Sequence, residues 1–175
     1  MTDVDPVVEL RAARCNVTDT AGFLCTLRTT AEHCNTHVIC FNAEMLVGRS
    51  HAETAIRYAI RSFQSGSPIS NSLEMESLLF ASGSRQCNIG VSFGLHDGEN
   101  HLWIGCYPKS DDVWKFLSHS VSFEEEAVKD GIDTKRRDRL TGIFHLSHDE
   151  LSTLDTPDRI TDLVLERVAL LQVLR

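Results

Sequence analysis

The strongest secondary-structure signal in the chain is the segment Ser50-His51-Ala52-Glu53-Thr54-Ala55-Ile56-Arg57-Tyr58-Ala59-Ile60-Arg61-Ser62-Phe63. Its apolar residues recur every three or four positions, which places them on one face of an α-helix. Ser50 and Glu53 match the capping box that opens many helices, and Gly66 is suited to end this one. The segment therefore predicts a helix with one buried face and one charged face, which carries Arg57 and Arg61.

Shorter patterns before this segment predict a strand, a helix and a second strand. Apolar and polar residues alternate around Leu10, as in a strand with one buried face. Residues 19–32 have helical spacing, with Leu24 and Leu27 on the expected buried stripe. Residues 37–41 form a β-branched run, which predicts the second strand.

After the segment, the signals again alternate between helix and strand. Asn71 and Glu74 allow another capping box, which would open a helix that ends at the break over residues 82–84. Residues 101–107 alternate and predict a third strand. Ser110 is placed to cap a further helix, since two acidic residues follow it.

The last third of the chain reads as helical. Short helices are expected at residues 135–144 and 147–151, the second opened by a capping box at Ser147. The last helix is expected to begin at Thr156, with Pro157 in the first helical position, and to run to the C-terminus.

Length and composition favour one domain, residues 1–175, with more helix than strand. The net charge of −8 argues against a protein that coats duplex nucleic acid by charge alone. No apolar stretch approaches the roughly 18–20 residues of a membrane span, and no charged-then-apolar leader opens the chain. We therefore expect no membrane partner and a cytoplasmic protein, with its six cysteines reduced and mostly buried.

A catalytic reading has weak support in the sequence. Gly90-Val91-Ser92-Phe93-Gly94 matches the G-x-S-x-G pattern of serine hydrolases. That pattern needs a buried strand before it and a helix after it, whereas polar residues precede it and a turn follows. Small residues that let a helix pack closely are the simpler interpretation, so we expect no catalytic residue, with a hydrolase using Ser92 as an alternative.

A metal or nucleotide site has no stronger support. Four nearby side chains could bind zinc: His33, Cys34, His37 and Cys40. His37 and Cys40, however, should point to opposite faces of the predicted strand, so the four side chains would not converge on one ion. No glycine-rich phosphate loop is present. The basic residues from Lys135 to Arg139 are typical of a solvated face. We therefore expect neither a metal nor a cofactor.

Polar residues at predicted helix ends suit recognition of a small polar or phosphorylated partner. Asn42 and His51 flank the start of the main helix, and Arg85 with Gln86 precedes a further short helix. Each has a simpler structural interpretation, because short polar side chains often bond to neighbouring backbone. The sequence leaves both interpretations open.

The last predicted helix has more apolar surface than one buried stripe requires. From Val168 to Leu174, only Gln172 is polar. A helix that is apolar all round is usually buried on every side. Either this end inserts into the core of the domain, or a partner protein covers it.

Several of these residues, in this order, resemble the small kinase-binding subunit of the KEOPS complex. The resemblance covers nearly the whole chain, and the compact length resembles an archaeal member. It is carried by Asn42-Ala43-Glu44, Gly48-x-x-His51, the alanine-rich helix, Glu76, Gly83-x-Arg85-Gln86 and Leu165-Glu166-Arg167-Val168-Ala169-Leu170-Leu171.

The resemblance implies an α+β fold, with several helices packed against a small, largely antiparallel sheet. It implies a non-catalytic subunit that binds the atypical kinase/ATPase of the complex and the single-stranded CCA 3′ end of tRNA. Such a subunit supports threonylcarbamoyl modification of the adenosine next to the anticodon. A protein-only regulator of the kinase, without RNA binding, is the main alternative.

Two sets of residues are expected to carry these functions. A free RNA end needs a pocket for unstacked bases and a few phosphate contacts, which an acidic chain can provide. The expected RNA-binding residues are Asn42, His51, Arg57, Arg61, Gly83, Arg85 and Gln86. The expected kinase-binding residues are Val164, Val168, Leu170, Leu171, Val173 and Leu174.

Overall fold

Within the residues that the structure describes, the sheet has four strands, and every neighbouring pair is antiparallel. The computed structural model describes residues 5–125, 132–153 and 159–174. The strands lie in the order β2-β3-β1-β4, which leaves β2 at one edge. Their bounds are β1 Glu9–Val17, β2 His37–Asn42, β3 Gly98–Tyr107 and β4 Ser122–Glu124.

Eight helices surround this sheet in the described part of the chain, together with a 3-10 turn at Ala43–Met45. The expected α+β architecture, with more helix than strand, is confirmed. The helices are α1 Thr20–His33, α2 Arg49–Gln64, α3 Leu73–Ser82, α4 Cys87–Val91, α5 Asp111–Leu117, α6 Thr134–Ile143, α7 His148–Ser152 and α8 Arg159–Val173. None of them is long and apolar enough to cross a bilayer.

Each face of the sheet carries its own apolar core because side chains alternate along each strand. Val38 and Cys40 face the core under α1 and α5. Ile39 and Phe41 face the larger core under α2, α3, α6 and α8. Gly105 on β3 allows α2 to lie close to the sheet, since a Cβ there would collide with Ile56.

Most predicted elements are confirmed, but two capping boxes are wrong. Helix α2 begins at Arg49 after Gly48, and no side-chain hydrogen bond caps it. Helix α3 is capped by Ser72, whose hydroxyl accepts a hydrogen bond from the Met75 N–H. The capping box at Ser147 is confirmed. The predicted start of the last helix at residues 156 and 157 lies outside the described residues.

Burial corrects two further expectations. Leu24 is 45% exposed, so only Leu27 of the expected stripe on α1 is buried there. All six cysteines are free thiols. Half of them, rather than most, are buried: Cys15, Cys40 and Cys106.

A buried carboxylate fixes the connection between α2 and α3. Glu76 is fully buried and accepts hydrogen bonds from the backbone N–H groups of Ile69 and Ser70 and from the Ser62 hydroxyl. Buried charge is tolerated when hydrogen bonds satisfy it in this way. The motif residue Glu76 therefore orients α3, whose C-terminal end forms part of the site described next.

Candidate functional site

Asn42, the last residue of β2, fixes the start of the segment that connects β2 to α2. Its backbone N–H donates to the Phe93 carbonyl at 2.7 Å. Its side-chain oxygen accepts a hydrogen bond from the Glu44 N–H at 3.1 Å and caps the 3-10 turn. The simpler interpretation of Asn42 as a cap is thus confirmed, while its amide NH₂ has no hydrogen-bond partner within the described residues.

His51 lies inside the protein and ties α2 to the end of α3. Its Nδ1 accepts a hydrogen bond from the Val47 N–H at 3.2 Å, which leaves Nε2 to donate to the Ala81 carbonyl at 2.8 Å. Burial lowers the pKa of His51 to about 4, so the ring is neutral near pH 7. The side chain has no exposed surface, which corrects the expectation that His51 contacts RNA directly.

Two arginines of α6 organise the same segment, although the sequence suggested a solvated face there. The buried Arg136 donates from Nε to the Leu46 carbonyl at 2.9 Å. Arg139 lies 3.3 Å from the carbonyl of Glu44 and 3.6 Å from its carboxylate. No local pattern reveals these contacts, because the partners are 90 and 95 residues apart.

Gly83 ends α3 in the left-handed backbone conformation, with φ of 62°. A Cβ at this position would lie 3.4 Å from the Phe144 ring. That ring is also 5.9 Å from His51 and 6.1 Å from Phe93, centroid to centroid. The aromatic contacts therefore gather the start of α2, the end of α3 and the exit of α4 at one end of the molecule.

Arg85 and Gln86 lie on the surface, two and three residues after Gly83. Both residues are exposed, and within the described residues no hydrogen bond or ion pair engages their side chains. Gln86 precedes α4, which has only five residues, so its helix dipole adds little attraction for a phosphate. The guanidinium and the amide themselves are the groups available to a ligand.

Arg57 and Arg61 lie apart from this end of the molecule. At the usual rise of a helix they are about 9 and 15 Å beyond His51 along α2. Arg57 bonds Glu53 at 2.6 Å, and Arg61 pairs with Asp5. The structure therefore does not bring these two arginines together with Arg85.

The last helix has a buried stripe and an exposed end. Val164, Val168 and Leu171 are buried in the core shared with α2, so their assignment to a partner interface is corrected. The other three expected interface residues are exposed: Leu170 by 38%, Val173 by 75% and Leu174 by 71%. Burial thus supports the core interpretation for three of these residues, while the partner interface of the other three stays a prediction.

The weaker alternatives lack the geometry they need. Ser92 follows α4 rather than a strand, and its hydroxyl donates to the Ile89 carbonyl at 2.6 Å. Gly90 packs closely on α3, as expected of small residues there, because a Cβ would lie 3.1 Å from Leu79. Among the residues the structure describes, no three His, Cys, Asp or Glu side chains converge as metal ligands.

The fold and the site define an α+β protein with an exposed apolar end of α8 and, separately, Arg85 and Gln86, whose side chains have no partner in the described part of the chain. Such surfaces are suited to holding other molecules. The chain belongs to the family described as Kinase binding protein CGI-121, whose model matches residues 15–172. The resemblance to the kinase-binding subunit of the KEOPS complex is thereby confirmed. The comparison with curated proteins gave no match. Archaeal origin stays a prediction.

Proposed function

We propose that this protein is a non-catalytic, cytoplasmic subunit of a KEOPS-type complex. It binds the atypical kinase/ATPase subunit through the exposed end of α8 and the CCA 3′ end of tRNA through the surface around Arg85 and Gln86. In this role it supports threonylcarbamoyl modification of tRNA next to the anticodon. Membership of a kinase-binding family supports the first contact, and the geometry of the site supports the second.

The exposed apolar end of α8 is the observation that carries kinase binding. Leu170, Val173 and Leu174 are exposed, whereas the buried residues of the same helix anchor it to α2. Adjacent exposed apolar residues on a rigid helix are typical of an interface with another protein. The buried residues of α8 hold the helix in place, and its exposed end would contact the kinase.

Charged substitutions test this contact. Val173→Asp and Leu174→Asp should each abolish co-purification with the kinase while leaving the fold intact. Val7→Asp is the matched control, because Val7 is 72% exposed and lies outside α8. Retained kinase binding in both α8 variants, or an equal loss in the control, would reject the assignment.

RNA binding rests on the polar groups that the fold leaves unused. In this proposal the exposed Arg85 contacts a phosphate, and the exposed Gln86 and the Asn42 amide NH₂ bond base edges or sugar hydroxyls. Recognition of a single-stranded end needs only a few such contacts, which reconciles it with a net charge of −8. His51 and Gly83 position the surface, and Arg57 and Arg61, which are ion-paired with Glu53 and Asp5, contribute little to it.

Arg85→Glu should weaken tRNA binding by about ten-fold or more, because it replaces an attraction to phosphate with a repulsion. Fluorescence anisotropy with intact tRNA and with tRNA lacking its CCA end measures the effect. Lys109→Glu makes the same change of charge on an exposed turn and should leave the affinity unchanged. Equal affinity of the Arg85 variant and the unaltered protein for intact tRNA would reject the role of Arg85.

A protein-only regulator is the second candidate, and the arginine contacts favour it. Arg57, Arg61 and Arg139 are ion-paired, and Arg136 is buried on a carbonyl, so these four offer little to phosphates. This candidate predicts normal kinase binding with no measurable affinity for tRNA. The α8 and Arg85 variants therefore separate the two functions.

A further inference from the structure

The outer edge of β2 opens into a cleft that contains neither the exposed end of α8 nor Arg85 and Gln86, although Asn42 lies at one end of this edge. β2 is an edge strand, paired with β3 on one side only. Helix α1 lies over one face of this edge and α3 lies over the other. Between them is a cleft of about 470 Å³ whose lining includes residues 36–40.

The backbone hydrogen bonds show which groups of β2 face this cleft. The Asn42 N–H donates to the Phe93 carbonyl rather than to β3. Since alternate residues of an antiparallel strand point their backbone groups in the same direction, Val38 and Cys40 also point away from β3. The other end of the edge is closed by the Thr36 N–H, which donates to the Ala31 carbonyl at 3.0 Å.

Val38 and Cys40 therefore direct two N–H donors and two carbonyl acceptors away from β3, and the Cys40 carbonyl lies beside Gly94, where a Cβ would be 3.8 Å from its oxygen. Within the described residues, no hydrogen bond engages any of these four groups. Buried backbone groups without partners are costly, and proteins usually pair or cover a strand edge. The four groups repeat at strand spacing, which is the pattern that another extended chain matches.

The walls of the cleft are apolar on both sides of the strand edge. Leu24 and Leu27 line it from α1, and Met75 and Leu78 line it from α3. Val91, Gly94 and Leu95 line its third side, next to the hydrogen bond between Asn42 and Phe93. Leu24 remains 45% exposed although it belongs to this wall. A strand added at this edge would meet apolar surface on both of its faces, as a buried central strand does.

The charges around the cleft disfavour a nucleic acid. One arginine, Arg28, faces two glutamates, Glu32 and Glu74. Glu74 also bonds Nδ1 of His37 at 2.8 Å, and that hydrogen bond raises the pKa of His37. A phosphate chain gains little from such a balance, whereas a peptide backbone is uncharged and complements the free donors and acceptors.

We propose that the β2 edge binds an extended segment of a partner protein as a fifth strand. The segment has three or four residues, because Thr36 closes one end of the edge and the Phe93–Gly94 segment, bonded to Asn42, closes the other. Its side chains are apolar on both faces, and a basic flanking residue complements Glu32 and Glu74. This mode, in which backbone bonds give affinity and flanking pockets give specificity, is used by many peptide-binding domains.

Hydrogen exchange of the full chain with the peptide acetyl-Lys-Val-Ile-Val-Thr-Lys-amide tests the proposal. The peptide should slow exchange at Val38 and Cys40, whose N–H groups gain acceptors. Exchange at Ile39 and Phe41, whose N–H groups already face β3, should not change. N-methylation of the Val-Ile-Val amides should abolish binding, since it removes the donors to the two free carbonyls.

Two variants of α1 locate the binding. Leu24→Trp places a larger side chain in the cleft from an exposed position, so it should lower the affinity for the peptide by about ten-fold or more. Cys25→Trp adds the same ring to the next exposed residue, which lies outside the cleft, and should not affect binding. The peptide affinity of each variant is measured by calorimetry beside its thermal stability.

Four results would overturn the proposal. The first is no peptide binding at millimolar concentration. The second is binding without protection of Val38 and Cys40, and the third is an equal loss of affinity in both tryptophan variants. The fourth is protection of these two amides by an RNA oligonucleotide ending in CCA and not by the peptide, which would assign the cleft to RNA.

Discussion

The buried His51 should make the stability of the protein depend on pH in a defined window. Its pKa is about 4 in the folded state, against an ordinary value of 6.5. Because each unit of difference in pKa is worth about 1.4 kcal/mol, this corresponds to a loss of about 3 kcal/mol when the unfolded chain is protonated at His51 and the folded chain is not. The folded state binds fewer protons, so stability falls as the pH drops from 6.5 towards 4.

His51→Gln is the perturbation that isolates this effect. The amide retains one donor and one acceptor for the Ala81 carbonyl and the Val47 N–H but does not titrate. Urea unfolding, followed by circular dichroism between pH 7.5 and 4, gives the free energy of unfolding of both proteins. The difference between them should change by about 3 kcal/mol across this range, in favour of the variant at low pH.

The shifted pKa values of His37 and Glu150 do not produce this signature. The pKa of His37 is raised by its hydrogen bond with Glu74, so its contribution is lost as the pH rises rather than as it falls. The pKa of Glu150 is lowered to about 2 by the backbone N–H of Ser147, so its contribution is lost mostly below this window. Identical pH slopes for the unaltered protein and His51→Gln would refute the buried, neutral imidazole.

Three further substitutions test the contacts that shape the site. Arg136→Met leaves the Leu46 carbonyl without its buried donor, so the free energy of unfolding should fall by about 1–3 kcal/mol in urea titrations; an unchanged midpoint would contradict this role. Gly83→Ala forces a side chain into the left-handed conformation and should cost about 1–2 kcal/mol by the same assay, whereas the open, φ-negative Gly142→Ala should not destabilise the chain. Glu76→Gln places an NH₂ group against the Ile69 and Ser70 donors and should lower stability by about 1–3 kcal/mol, with no change in tRNA affinity at a temperature where the variant is folded.

The elements that the sequence predicted well are those governed by local patterns. Helix α2 was evident because Ala52, Ala55 and Ile56 repeat at helical spacing, and those residues are buried. Strand β3 followed from alternation, and the cap of α7 followed from Ser147 with Glu150. The capping boxes predicted at Ser50 and Asn71 are wrong because each helix begins at a different position. Helix α2 begins at Arg49 after Gly48, and Ser72 rather than Asn71 caps α3.

The parts of the site that the sequence did not predict depend on contacts between distant segments. The pairing of Arg136 with the Leu46 carbonyl joins α6 to the segment before α2, and no local spacing encodes it. The burial of His51 depends on Ala81 and Phe144, which come from two other helices. Val173 of α8 is exposed and Val168 is buried, although both are valines. Only the packing of the folded chain therefore distinguishes an exposed residue of this helix from a core residue.

The central claim is that one end of this fold holds the free end of tRNA while α8 holds a kinase. A single titration tests it most directly: binding of the purified complex of this protein with its kinase to tRNA with and without the terminal CCA. We expect tight binding to intact tRNA, strong weakening when CCA is removed, and the same weakening for Arg85→Glu with the kinase still bound. Equal affinity for both tRNAs, with the complex intact, would contradict the account.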